Sequence, residues 1–225
     1  MTPNNIVHMA LLKELGVIAV SDHNTAGNVA AVMAVGAREG LLVVPAMELC
    51  TSEEIHLLCL LPTAEAARAL EAAAWQGLSL PPNRPDVFGF QWRMDDRDEV
   101  LGSDKRMLIA ASALDVETAL KRVAALGGVA VPAHIDRDAY SMTAVLGIIP
   151  PEYGFRAIEL SARAISAVVA SAHPETADAA VLVNSDAHHL WDIAEPVHAV
   201  DVSAPTIAAL LEAVRAGTGF IRPSR

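Results

Sequence analysis

Six residues of metal-binding type fall where apolar runs begin or end: His23, Glu48, His56, His134, Asp186 and His188. Imidazole and carboxylate together form the donor set of zinc, manganese and iron sites. Taken singly, each has an ordinary explanation as a turn former or a satisfied buried polar group, and the Asp-x-His spacing at 186–188 is weak by itself. The joint pattern is more specific. If the strands lie in one sheet, their ends share a rim, and in α/β proteins that rim binds ligands.

The elements that must position these residues follow from the hydrophobic pattern. Thr2-Pro3 is a helix start, with a hydroxyl cap followed by proline at the first helical position, and Gly16 ends that helix. The run Val17–Val20 is a strand leading into Ser21-Asp22-His23-Asn24. A helix is expected over residues 26–38, closed by Gly40, then a strand over residues 42–47 ending at Glu48. The link from Cys50 to Glu54 is too short for a crossover helix, so the next strand, Ile55–Leu60, must be antiparallel to its predecessor, which places His56 near Glu48. Further strands are read at 129–133, ending at His134, at 157–160, at 181–184, leading to Asp186, and at 197–200. Helices are read over 64–76, after Asp115, and over 205–216. Residues 78–104 contain Pro81-Pro82, Pro85 and the acidic run 95–99, and read as a long surface excursion inserted into a single domain spanning 1–225. Asn24 and Asn28 stand at the entry to the second helix as candidate caps or anion donors.

Bulk properties narrow the class. Hydrophobic residues make up 53% and aromatic residues 4%, so the core is built from Ala, Val, Leu and Ile, as in helices packed on a largely parallel sheet. A formal net charge of −11 gives no electrostatic basis for an extended nucleic-acid surface. Phosphate chemistry on such a chain needs a locally positive centre, which bound metal ions supply. Two cysteines, Cys50 and Cys59, form no disulfide framework and indicate a reducing setting. With no signal-like start and no apolar run near ~20 residues, the expectation is a cytoplasmic protein off the membrane.

Ser21-Asp22-His23-Asn24, Met47-Glu48, Glu54-Ile55-His56, Pro132-Ala133-His134 and Asn184-Ser185-Asp186-Ala187-His188 resemble successive motifs of the PHP (polymerase and histidinol phosphatase) family. The resemblance runs from about residue 2 to about residue 200. It implies an α/β fold, a distorted seven-stranded (β/α) barrel, and up to three divalent metals (Mn, Zn or Fe) that activate water for phosphoester hydrolysis. By the same resemblance Glu48 bridges two metals, His56 and His134 complete one of them, His23 and His188 serve a second, and Asp186 serves the remaining one. Glu48 is then central to catalysis, and Asp22 acts beside it by orienting ligands. The family opens with a strand carrying His-x-His, which has no counterpart ahead of the Thr2 helix. On that reading the barrel lacks its first strand, and only the site of Glu48, His56 and His134 keeps a full protein set. Low or no activity is expected of the chain as it stands, and a native start upstream of Met1 is favoured over a degenerate homologue.

Arg137 and Arg163 are candidates for a substrate phosphate through bidentate hydrogen bonds, and equally ordinary surface arginines. The expected substrate is a small phosphorylated compound, a nucleotide or a short oligonucleotide. Two other functions fit the same residues: a non-catalytic metal-binding PHP-like protein, and an amidohydrolase-like metal hydrolase. The second often uses a carbamylated lysine, and Lys13, Lys105 and Lys121 all lie away from strand ends. An unpaired sheet edge would favour a homo-oligomer.

Overall fold

Strand pairing around Glu48 organises the molecule. A computed structural model describes residues 1–79, 81–196 and 198–221. Helix α1 (Pro3–Leu12) is capped by Thr2, whose side chain accepts from the Asn5 N–H, and leads to β1 (Val17–Val20). Helix α2 (Val29–Glu39) is closed by Gly40 at φ 81° and leads to β2 (Leu42–Cys50). Strand β1 runs parallel to β2 with Val17 opposite Leu42. Strand β3 (His56–Leu60) returns antiparallel, with Cys50 opposite His56 and Ala46 opposite Leu60. The expected hairpin therefore forms. Its first strand runs three residues past the expected end, so Glu48 sits inside β2 rather than at its tip. The reason is the register: Glu48 pairs with Leu58, and the ladder continues to Cys50 before the turn.

Helix α3 (Ala64–Ala74) starts at a Thr63 cap. The excursion contains a short helix α4 (Pro85–Phe88) and a hairpin of β4 (Trp92–Met94) and β5 (Val100–Ser103). Leu80, within it, lies outside the described residues. The excursion is anchored. Asp98 accepts from the Thr2 hydroxyl (2.6 Å) and the Asn4 N–H (3.0 Å), and Arg106 joins Asp104 and Glu71.

Helix α5 (Val116–Ala125), capped by Asp115, precedes β6 (Val129–Pro132). Strand β6 pairs antiparallel with β3, Leu57 opposite Pro132, which makes it co-directional with β2. Helix α6 (Met142–Leu146) follows, then β7 (Ala157–Ser161), α7 (Ser166–Ala172) and β8 (Ala180–Asn184). Strands β7 and β8 are parallel. The last elements are β9 (Ala199–Val200), α8 (Ile207–Ala216) and β10 (Phe220–Ile221), with β9 and β10 antiparallel. Val197, the first residue of the expected last strand, lies outside the described residues.

The fold is mixed α/β. Among the described residues the ladders form one four-stranded sheet, β1-β2-β3-β6, and three two-stranded pairs, so hydrogen bonding does not close a seven-stranded barrel. The main core lies between the central sheet and α3 and α5, with Met47, Leu49, Ile55 and Leu57 fully buried. Gly36 lets α2 approach β2 closely. A Cβ there would lie 2.5 Å from a Val43 methyl and 2.8 Å from the Leu41 carbonyl oxygen. Among the described residues no helix is long and apolar enough to cross a membrane.

Candidate metal centre

Three strand directions converge on Glu48. Its N–H donates to the Asp22 carbonyl (3.2 Å) and its carbonyl accepts from the Asn24 N–H (2.8 Å), so the residues after β1 continue its parallel pairing with β2 and set His23 beside Glu48. The β2–β3 register brings in His56, and the β3–β6 register brings in His134, because the Ala133 N–H donates to the His56 carbonyl (3.1 Å).

The donors are close. Glu48 Oε2 lies 2.7 Å from His23 Nδ1 and 3.5 Å from His56 Nδ1, while Oε1 lies 3.4 Å from His134 Nε2. His56 Nδ1 and His134 Nε2 are 3.3 Å apart. Ligands placed ~2.1 Å from one divalent ion lie roughly 3–3.5 Å from each other. The spacings among Glu48, His56 and His134, 3.3–3.5 Å, match that range, and the 2.7 Å between His23 and Glu48 is shorter. Ligand atoms of His23, Glu48 and His56 all fall within 4.8 Å of one another. His23 Nδ1 is buried and, despite its nearness to Glu48, lacks the alignment of a hydrogen bond. A buried polar atom aimed into a ring of donors without a proton partner is what a metal site needs. The residues present therefore fit a divalent metal.

Electrostatics agree. Burial alone would raise the Glu48 carboxyl, but the imidazoles of His134, His23 and His56 set against its oxygens outweigh it and hold the group well below its ordinary value. The Glu48 carboxylate raises His23. Burial opposes protonation of His134, yet Glu48 carries the balance upward.

The remaining expected residues surround this ring. The His188 ring is 6.0 Å from the His23 ring and its side chain is exposed. Asp186 faces Arg137, with 2.6 Å between Oδ2 and Nη2. Arg137 is thus exposed and tied to a candidate ligand. Arg163 is exposed and makes no ion pair among the described residues. Asp22 turns its carboxylate to the Asn28 amide (3.3 Å), and burial raises that carboxyl. His8, on α1, lies within 3.9 Å of Glu39, away from the ring.

Several residues with no assigned role prove to shape the site. Asn28 stands at the N-cap position of α2, but neither its side chain nor that of Asn24 makes a capping bond. The fully buried Asn24 amide donates to the Leu108 and Ala110 carbonyls (2.9 and 2.8 Å), and its oxygen accepts from the Cys50 N–H (2.9 Å). Asn28 binds the excursion instead, donating to the Trp92 carbonyl and accepting from the Met94 N–H. The Tyr140 ring stacks on His56 at 4.8 Å between centroids, and its carbonyl accepts from the His56 N–H (2.7 Å). Glu159 is buried behind His134 and was legible only as a charged residue inside an apolar strand. Asn24, His134, Tyr140 and Asp186 all hold positive φ, a strain typical of functional sites. A cavity of about 760 Å³, lined by β1, α1, Glu48, Glu159 and residues 183–188, opens beside the ring.

Residues 175–218 match the family model described as PHP-associated. The fold is similar to that of a lesion-specific endonuclease from Pyrococcus furiosus (TM-score 0.65, 15% identity), covering 99% of this chain and 53% of the endonuclease. It is also similar to an amidohydrolase from Chromobacterium violaceum solved with sulfate (TM-score 0.61, 19% identity), covering 100% and 93%. A candidate metal-dependent phosphoesterase from Bifidobacterium adolescentis aligns with TM-score 0.54 and 17% identity over 84% and 82%. This chain spans about half the length of the endonuclease. No curated protein sequence matches it.

Proposed function

We propose that this chain, a PHP-family protein, is a metal-dependent phosphoesterase whose centre is Glu48 with His56, His134 and His23. The observation carrying this reading is the ring itself: one buried carboxylate with three imidazole nitrogens 2.7–3.5 Å from its oxygens. When bound, divalent metal supplies an activated water and charge stabilisation at phosphorus. Glu48 orients the imidazoles through both of its oxygens. His188 and Asp186, on the loop after β8, extend the ligand set toward the cavity, and Asp22 fixes the turn that carries His23. Arg137 stands at the same mouth, where its guanidinium suits a phosphate once Asp186 is drawn to metal.

The substrate class we favour is a nucleotide or short oligonucleotide. The fold likeness to an endonuclease supports it, and the net charge of −11 argues against long nucleic-acid tracts. Metal analysis of the purified chain, paired with hydrolysis of a phosphomonoester, a phosphodiester and a short oligonucleotide, tests the reading. Metal bound with turnover that Glu48→Gln abolishes supports it. Metal bound with no turnover on any of the three supports the non-catalytic alternative. A second enzymatic reading, hydrolysis of a C–N bond, draws on the near full-length likeness to an amidohydrolase. Amide and lactam substrates in the same assay separate the two.

A further inference from the structure

We propose that Glu159 is a positioning residue that sets the two halves of the metal centre relative to each other, by joining the strand end that carries His134 to the strand end that carries Asp186. This rests on the metal-centre reading above.

The need for such a residue comes from the sheet topology. Glu48 and His56 lie in the four-stranded sheet and His23 and His134 just past its strands β1 and β6, whereas Asp186 and His188 follow β8 of the separate β7–β8 pair. The described ladders do not join β6 to β7. No run of backbone pairing therefore fixes the distance between the two ligand groups.

At the site end, one backbone bond and several side chains bridge the gap. Glu159 Oε2 accepts the His134 N–H at 3.1 Å. Glu159 Oε1 accepts from the Asn184 amide at 2.6 Å, two residues before Asp186. The Glu159 carbonyl accepts the Ile135 N–H at 3.0 Å. Two residues along β7, Ser161 donates through its N–H and hydroxyl to Asp136 at 2.7 and 2.6 Å. One carboxylate thus holds both neighbours, one oxygen to each side.

The position is costly for a carboxylate. Glu159 is only 7% exposed, and burying such a group is favourable only when its oxygens are satisfied. An apolar residue would fill the space without that cost, but could not grip a backbone N–H and an amide at once. The backbone is strained at His134 (φ 31°), which Glu159 holds, and at Asp186 (φ 46°), two residues past Asn184. Left-handed backbone at non-glycine residues persists only where the surroundings over-determine it.

The arrangement makes a swap test possible. Glu159→Gln leaves one oxygen for the His134 N–H but removes the charge from both bonds, and its amide meets the Asn184 amide donor to donor until the latter turns over. Adding Asn184→Asp restores both bonds with amide and carboxylate exchanged. We expect manganese affinity, read by calorimetry, to fall about tenfold in Glu159→Gln and to recover in the double variant. Imidazole NMR of the metal-free proteins gives a second readout. The His134 and His188 resonances should shift together in Glu159→Gln and return in the double variant. Unchanged affinity and unchanged resonances in Glu159→Gln, or a double variant no better than the single one, would overturn the proposal. If the wild type takes up no manganese, the metal-centre reading fails on its own, and the metal-free resonances still decide the role of Glu159.

Discussion

Glu48 and His56 lie two register positions apart on the β2–β3 hairpin, and their side chains meet at 3.5 Å across it. His56 is thereby held by covalent and ladder geometry before any metal arrives. On its other face Tyr140 stacks against the same ring. A ligand confined on both sides loses little freedom on binding metal, which makes this hairpin the rigid half of the centre.

Replacing Glu48 with Gln keeps the volume and removes the charge that three imidazoles share. We expect metal affinity to fall by at least about tenfold with the fold retained. Isothermal calorimetry beside far-UV circular dichroism checks both parts, and wild-type affinity in the variant would refute the central role of Glu48.

The stability of the metal-free protein should depend on pH in a defined way. Glu48 is held below its ordinary 4.5, so its contribution is full above that value and lost as pH falls through the lowered one. His23 and His134 are raised above 6.5, so theirs is full below 6.5 and lost as pH rises through the raised values. Burial pushes Glu159 up to about 7, so the carboxylate that accepts from His134 and Asn184 is fully formed only above that value, and stability falls as pH rises from about 4.5 to about 7. Metal binds only deprotonated imidazole, so the melting-temperature rise caused by metal should grow from pH 5.5 to pH 8. Thermal melts with and without metal at ~pH 5.5 and ~8 measure this. An equal rise at both would contradict the assignment of the histidines as ligands.

Arg137 and Asp186 form an ion pair at 2.6 Å. Arg137→Met should free Asp186 and raise metal affinity a few-fold, while Asp186→Asn should lower it. With a phosphorylated substrate Arg137→Met should instead raise KM. Opposite signs for binding of metal and of substrate are the expected signature, and steady-state kinetics with a metal titration read both.

Asn24 is fully buried and satisfies three backbone groups. Asn24→Ala leaves two carbonyls and one N–H unpaired, at a cost of about 3 kcal/mol or more. Denaturant unfolding gives the number directly. A loss under about 1 kcal/mol would mean that water replaces the amide.

Strand β1 pairs with β2 on one side only among the described residues. An open edge of this kind templates pairing between chains. Light scattering over a wide concentration range should detect self-association, and Ile18→Lys should suppress it.

The α1, β1, β2, β3, α3, α5 and α8 segments were legible along the chain because apolar period, caps and closing glycines act within a few residues. So was the convergence of His56 on Glu48, since a link of five residues admits only a hairpin. Beyond that reach, only the tertiary structure decided the outcome. That His134 meets His56 depends on β6 pairing antiparallel with β3, across about seventy intervening residues whose pattern does not specify a partner. That Asn24 holds the Leu108 and Ala110 carbonyls and Asn28 the excursion, with neither side chain capping α2, depends on which backbone groups the fold carries to them, since an asparagine amide satisfies either demand equally well. That Glu159 bridges two strand ends depends on a gap between two sheets, and a gap has no residues of its own to leave a mark in the sequence.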